Sequence, residues 1–116
     1  MRKPKLLLGL GFILAAMAAL AQRRPLPWEQ NHLYVGQALY RDNCVVCHDI
    51  DRQQSRKVGP SFFHLFQRDK MPLSSMKPNR DYIKVRVKFG GPLMPAFRQW
   101  LSDPEIDTLI DYIASR

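Results

Sequence analysis

NCVVCHDI (residues 43–50) holds both cysteines of the chain and one of its three histidines, as Cys44, Cys47 and His48. Two thiols three positions apart, with an imidazole directly after the second, form a dense cluster of soft ligands. Three chemistries use such a cluster: a structural metal, a redox dithiol, or a prosthetic group fixed by covalent bonds. The motif is short, so its surroundings must decide among them.

Structural zinc takes four protein ligands, commonly as two pairs. Beyond the cluster only His32, His64 and carboxylates remain, and no second pair is present. A thioredoxin-like dithiol follows a strand within a βαβ surround, and neither is legible here. C-x-x-C-H is also the sequence mark of covalent haem. Cysteines three apart lie about one helical turn from each other, so both sulfurs reach the vinyl groups along one porphyrin edge. The next residue, His48, is then carried under the ring toward the iron.

At 116 residues the chain is short enough to expect one domain. Its start reads as a secretory signal: Arg2, Lys3 and Lys5 precede an apolar run from Leu6 to Ala21 that ends in small residues around Leu20. The run of 16 residues is shorter than the ~20 that span a bilayer. Residues 1–21 are therefore expected to be cleaved; an uncleaved membrane anchor is the alternative. A Pro-stiffened leader, 22–30, and a domain, 31–116, follow. Removing the signal takes the 18 basic residues to 15 against 10 acidic ones, a formal charge of +5. The basic residues are scattered and form no DNA-reading motif, which argues for acidic protein partners and against nucleic acid. A domain this small buries only about 60–65% of its unfolded surface, and exported domains usually compensate with several disulfides. Two neighbouring cysteines close no useful loop, so something else must reinforce the core.

Three further segments carry pattern. NHLYVGQALYRDN (31–43) puts Leu33, Gly36, Leu39 and Tyr40 on one helical face, with Asn31 as N-cap. Gly36 in mid-helix suits a close crossing by another helix. LSDPEIDTLIDYIASR (101–116) has a Ser102–Glu105 capping box and a Leu101–Ile106 staple, followed by Leu109, Ile110 and Ile113 at helical spacing. NRDYIKVRVKFGG (79–91) alternates apolar and basic residues as a strand does. No second strand is available to pair with it, so a helix is expected, capped by Asn79, ended by Gly90, and facing inward with Tyr82, Val85 and Phe89. The loops between are long and rich in Pro, as segments that wrap something are.

Together these pieces resemble the class I cytochromes c. Gly36 and Tyr40 are similar to that family's helix leading into C-x-x-C-H, and VGPSFF (58–63) resembles its Gly-Pro segment. GGPLMPAF (90–97) resembles its distal Met-Pro loop, and LSDPEIDTLIDYI its closing helix. The resemblance implies an all-α fold of three to five helices around one haem c, with the N- and C-terminal helices crossing at Gly36, Leu109 and Tyr112. It implies thioethers from Cys44 and Cys47, His48 and Met94 as the two iron ligands, and the Pro60 carbonyl as the partner of the His48 ring. Met71 and Met76 are rivals to Met94. A central helix over 62–70 is expected on the same ground, while HDIDRQQSRK lacks the glycines usual after the motif.

The reading is an exported, periplasmic, monomeric carrier of single electrons between redox proteins, and not an enzyme. Its alternatives are a haem domain with an open distal site for ligand sensing or peroxidase-like chemistry, and a subunit of a larger dehydrogenase or oxidase. Lys84, Arg86 and Lys88 are expected to orient an acidic partner. Arg56, Lys57, Arg80 and Arg98 are candidates to meet the haem propionates. Trp100 is expected in the core, with packing on the haem or a hydrogen bond to a propionate as the alternative, Tyr40 and Tyr112 as packed aromatics, and His32 and His64 on loops or surface.

Overall fold

The last helix touches every other packed element, and the reason lies in its sequence. The computed structural model describes residues 27–116. Among them it has α1 (Pro27–Asn43), α2 (Arg80–Phe89) and α3 (Asp103–Ala114), a 3₁₀ turn at Leu65–Gln67, and no strand. The expected signal segment, and the leader as far as residue 26, lie outside the described residues. Along α3, Ile106, Leu109 and Ile110 are fully buried and Ile113 nearly so. The Glu105 carboxylate accepts hydrogen bonds from the Ser102 amide at 2.8 Å and the Ser102 hydroxyl at 2.6 Å. This satisfies donors that a helix start leaves open. Leu101, just before the cap, is buried with Ile106 as a staple requires.

α1 crosses α3 in the most extensive helix pairing of the domain. Gly36 is the contact point: a Cβ there would lie 2.5 Å from Tyr112 Cβ and 2.6 Å from the Thr108 carbonyl oxygen. The expected crossing of N- and C-terminal helices is present, with Thr108 in the place expected for Leu109. α1 begins at Pro27, four residues ahead of the expected cap, so Asn31 is interior and the end of the stretch read as leader is helical. Proline has no N–H to lose in a first turn, where none is bonded.

α2 is a helix despite its alternating pattern. Asn79 Oδ1 accepts from the Asp81 and Tyr82 amides at 2.9 and 3.1 Å, and Gly90, at φ 71°, ends it. The buried face is Ile83 and Val87, one turn apart, with Tyr82 partly buried. Val85 and Phe89 are over half exposed, against expectation. The neighbouring row, Lys84 and Lys88, turns toward α3. Lys84 Nζ lies 2.7 Å from Asp107 and Lys88 Nζ 2.8 Å from Asp103. The expected helix over 62–70 is only the 3₁₀ turn, because His64 takes left-handed angles (φ 46°) that interrupt an α-helix.

Candidate functional site

The end of α1 winds directly into the cysteine turn. The amides of Cys44 and Val45 donate to the Tyr40 carbonyl at 2.8 and 3.0 Å. Those of Cys47 and His48 donate to the Cys44 carbonyl at 3.1 and 2.9 Å. Both thiols are free, and Cys44 is buried in the core cluster with Tyr40, Leu109 and Tyr112. Burial, and then the neighbouring Cys47, push the Cys44 thiol up to about 12, so it stays protonated.

His48 is held from three sides. Its Nδ1 donates to the Pro60 carbonyl at 2.7 Å. The Phe62 ring stacks on it at 4.3 Å, with 17° between the planes. Gly59 presses against its edge: a Cβ there would lie 2.6 Å from Nδ1 and 2.8 Å from the Cys47 carbonyl oxygen. The Gly59 amide donates to that same carbonyl at 2.7 Å. Burial lowers the His48 pKa, the bond to Pro60 opposes this, and Lys57 adds to it. The ring is therefore neutral at neutral pH. With Nδ1–H committed to Pro60, the lone pair of Nε2 is left over. It lies in the ring plane, so stacking by Phe62 does not cover it.

Tyr40 is more than a packed aromatic. Its hydroxyl donates to the His48 carbonyl at 2.7 Å, while its ring meets Phe62 and Tyr112 at 6.3 and 5.9 Å. Burial first, and then nearby Asp49, push its pKa to about 12, so it remains a donor.

Met94 sits in a tight turn. The Gly91 amide donates to the Met94 carbonyl at 2.9 Å, and the Met94 amide to Gly91 at 3.3 Å. Beyond it, Phe97 and Arg98 donate to the carbonyls of Val87 and Lys88 at 3.0 and 3.3 Å, which ties the loop to the end of α2. Met94 packs partly buried against the core cluster that includes Cys44; Met71 does so too, and Met76 is exposed.

Several expected roles change. Trp100 is 56% exposed, edge-on to Phe97, and not core. Lys57 donates to backbone carbonyls of the cysteine turn, Arg80 pairs with Asp111, and Arg98 lies 5.1 Å over the Phe89 ring. Of the four propionate candidates only the Arg56 side chain has no partner among the described residues. Arg86 donates to the Tyr82 hydroxyl and the Gly90 carbonyl. Like Lys84 and Lys88 it is thus engaged within the domain. His32 is bound to Asp111 at 2.7 Å, joining α1 to α3, while His64 is exposed. The signal for Tyr40 was in the sequence, since a tyrosine four before Cys44 lies on the same helical face. Nothing in the sequence identified Asp111 as a junction.

Two free thiols on one turn, an imidazole with one nitrogen spoken for and one free, and a thioether on a pinned loop fit a covalently attached haem. A family described as cytochrome C oxidase, cbb3-type, subunit III matches the chain over residues 32–113. No curated protein matches it. The matched span runs from within α1 almost to the end of α3 and takes in Cys44, His48, Pro60 and Met94.

Proposed function

The chain belongs to this family of cytochrome c domains and carries covalent haem c, and from that premise we propose that it is an exported one-electron carrier working between redox proteins. The observation that carries the proposal is the His48 ring. Its Nδ1 is fixed on the Pro60 carbonyl at 2.7 Å, and it follows a turn that carries both free thiols. Haem, when bound, supplies a one-electron couple at its iron.

The chain's own residues supply the rest. Cys44 and Cys47 would hold the haem through thioethers, and His48 and Met94 would bind its iron. Pro60 orients the imidazole, as outer partners of metal-bound histidines do. Gly59 lets the backbone close on that ring without displacing it. Tyr40, Phe62, Leu109 and Tyr112 belong to or pack on the apolar cluster that keeps water from Cys44.

A redox partner docks near the cysteine turn. Val46, between the cysteines, and Val58, next to Lys57 in sequence, are 78% and 75% exposed. Arg52 and Arg56, on the segment between them in sequence, are exposed and form no ion pair among the described residues. Exposed valines on a segment with unpaired cations suit an acidic partner, whose association slows as salt rises. These residues replace the Lys84–Arg86–Lys88 row, which is engaged within the domain. Among the described residues no helix is long and apolar enough to cross a membrane. A second reading, a subunit of a membrane oxidase, is favoured by the description of the matched family. Co-purification of the native chain with detergent-extracted membranes, against recovery in the periplasmic fraction, separates the two.

The decisive experiment is the intact mass of the chain exported by a bacterial host with haem-attachment machinery. It should be heavier by one haem and lack residues 1–21, and Cys44→Ala with Cys47→Ala should abolish the haem increment. Met94→Ala should lose the iron–thioether absorption of the oxidised protein and gain carbon monoxide binding, whereas Met71→Ala should do neither. Folded, iron-free protein from that host overturns the proposal.

A further inference from the structure

We propose that Lys57 is a positioning residue of the cysteine turn and that its charge, opposed by Asp49, sets the reduction potential of the haem centre. The inference deepens the proposed function and rests on His48 being an iron ligand.

α1 ends at Asn43, so the carbonyls of the following turn have no next helical turn to bond. Lys57 Nζ takes two of them. It donates to the carbonyl of Val45, between the cysteines, and to that of His48 at 3.2 Å. The Tyr40 hydroxyl converges on the same His48 carbonyl from α1. A cation and a phenol therefore fix the backbone of the iron-binding residue from two elements. The lysine is itself held: Asp49 Oδ1 lies 3.4 Å from Nζ. The other oxygen of Asp49 accepts from the Arg56 amide at 3.0 Å and the Ser55 hydroxyl at 3.4 Å. The segment 49–57 thus folds back as a strap with its one ammonium on the cysteine turn. This charged strap is the segment of the sequence that lacks the expected glycines.

Two consequences separate the lysine from a bare loop residue. Its side chain is 31% exposed, so the ammonium is partly shielded from solvent, and charges there act through a dielectric well below that of water. A cation beside the proximal histidine favours the reduced centre, which carries one positive charge fewer. Asp49 acts in the opposite sense. Removing either charge moves the potential, in opposite directions.

The test is a spectroelectrochemical titration of the haem-loaded chain and three variants. Lys57→Met should lower the midpoint potential, raising the oxidised-to-reduced ratio at a fixed poise by about threefold or more. Lys57→Arg, which keeps charge and donors, should stay close to the parent. Asp49→Asn should raise the potential. A parent-like Lys57→Met, or an Asp49→Asn shift in the downward direction, overturns the proposal. Should Lys57→Met fail to load haem while Lys57→Arg loads, the positioning role is supported and the Asp49→Asn shift decides the charge. If neither loads, the direction of the Asp49→Asn shift decides. A parent chain without haem removes the proposed function itself, and with it the ground for this inference.

Discussion

Gly59 is the residue on which the site's geometry depends most sharply. Its missing side chain is the space in which the His48 ring and the Cys47 carbonyl sit, so any Cβ must displace one of them. Neither gives way cheaply: the ring is bonded to Pro60 and stacked on Phe62, and the carbonyl already accepts from the Gly59 amide. Gly59→Ala should therefore cost about 1–3 kcal/mol, as overpacking does. It should appear as a lower urea midpoint at unchanged slope, with a weakened iron–thioether band if the imidazole tilts. At this scale the sequence was most legible. Spacing alone put Cys44, Cys47 and His48 together, and the Gly-Pro segment brought Pro60 to them. Lys57 was less so, because a lysine in a polar loop gives no sign of which backbone groups it will meet. The core reading of Trp100 failed because bulk suggests burial, yet a single large apolar side chain outside the core is ordinary.

Among the elements, the crossing of α1 and α3 makes an unusual prediction. Replacing a mid-helix glycine by alanine ordinarily stabilises a helix by up to about 1 kcal/mol. At Gly36 the new methyl would meet Tyr112 Cβ and the Thr108 carbonyl oxygen, both too close to accept it. Gly36→Ala should therefore lower the melting temperature, by roughly 4–8 °C for each kcal/mol lost in a domain of this size. Trimming Thr108 should not restore it, since what Thr108 presents there is its carbonyl and Tyr112 Cβ remains in the way. α2 shows why pattern reading stops short. Ile83, Val85, Val87 and Phe89 alternate, but a helix needs only Ile83 and Val87 on its inner face, and Lys84 and Lys88 then fall on the adjacent stripe toward Asp107 and Asp103. Period two and period four agree on every second pair, so the sequence supports both until partners are counted. The helix boundaries were set by caps that could be read, Asn79 and Ser102. Pro27 was read as part of an extended leader, whereas it lies in the first turn of α1, where a proline loses no hydrogen bond.

At the scale of the whole molecule, Asp111 is where the three helices are tied. From α3 it accepts a hydrogen bond from His32 of α1 at 2.7 Å and pairs with Arg80 at the start of α2. Burial pushes its carboxyl up, but the bonds from His32 and Arg80 outweigh this and hold it below its ordinary value near 3.8. A carboxylate depressed in the folded state contributes stability above its unfolded pKa, and loses it as pH falls through the folded one. Asp111→Asn should therefore be less stable than the parent at neutral pH and converge on it as pH falls below that ordinary value, as melting temperatures across an acid series would record. Such long-range ties were invisible in the sequence: His32 and Asp111 lie 79 positions apart, and nothing local marks either. α3 carries the fully buried part of the core and supplies Asp111, and it starts 56 positions after Cys47. A chain emerging N-terminus first thus presents its two thiols well before the segment that will enclose them has been made. Only once α3 is made can the core close behind Cys44.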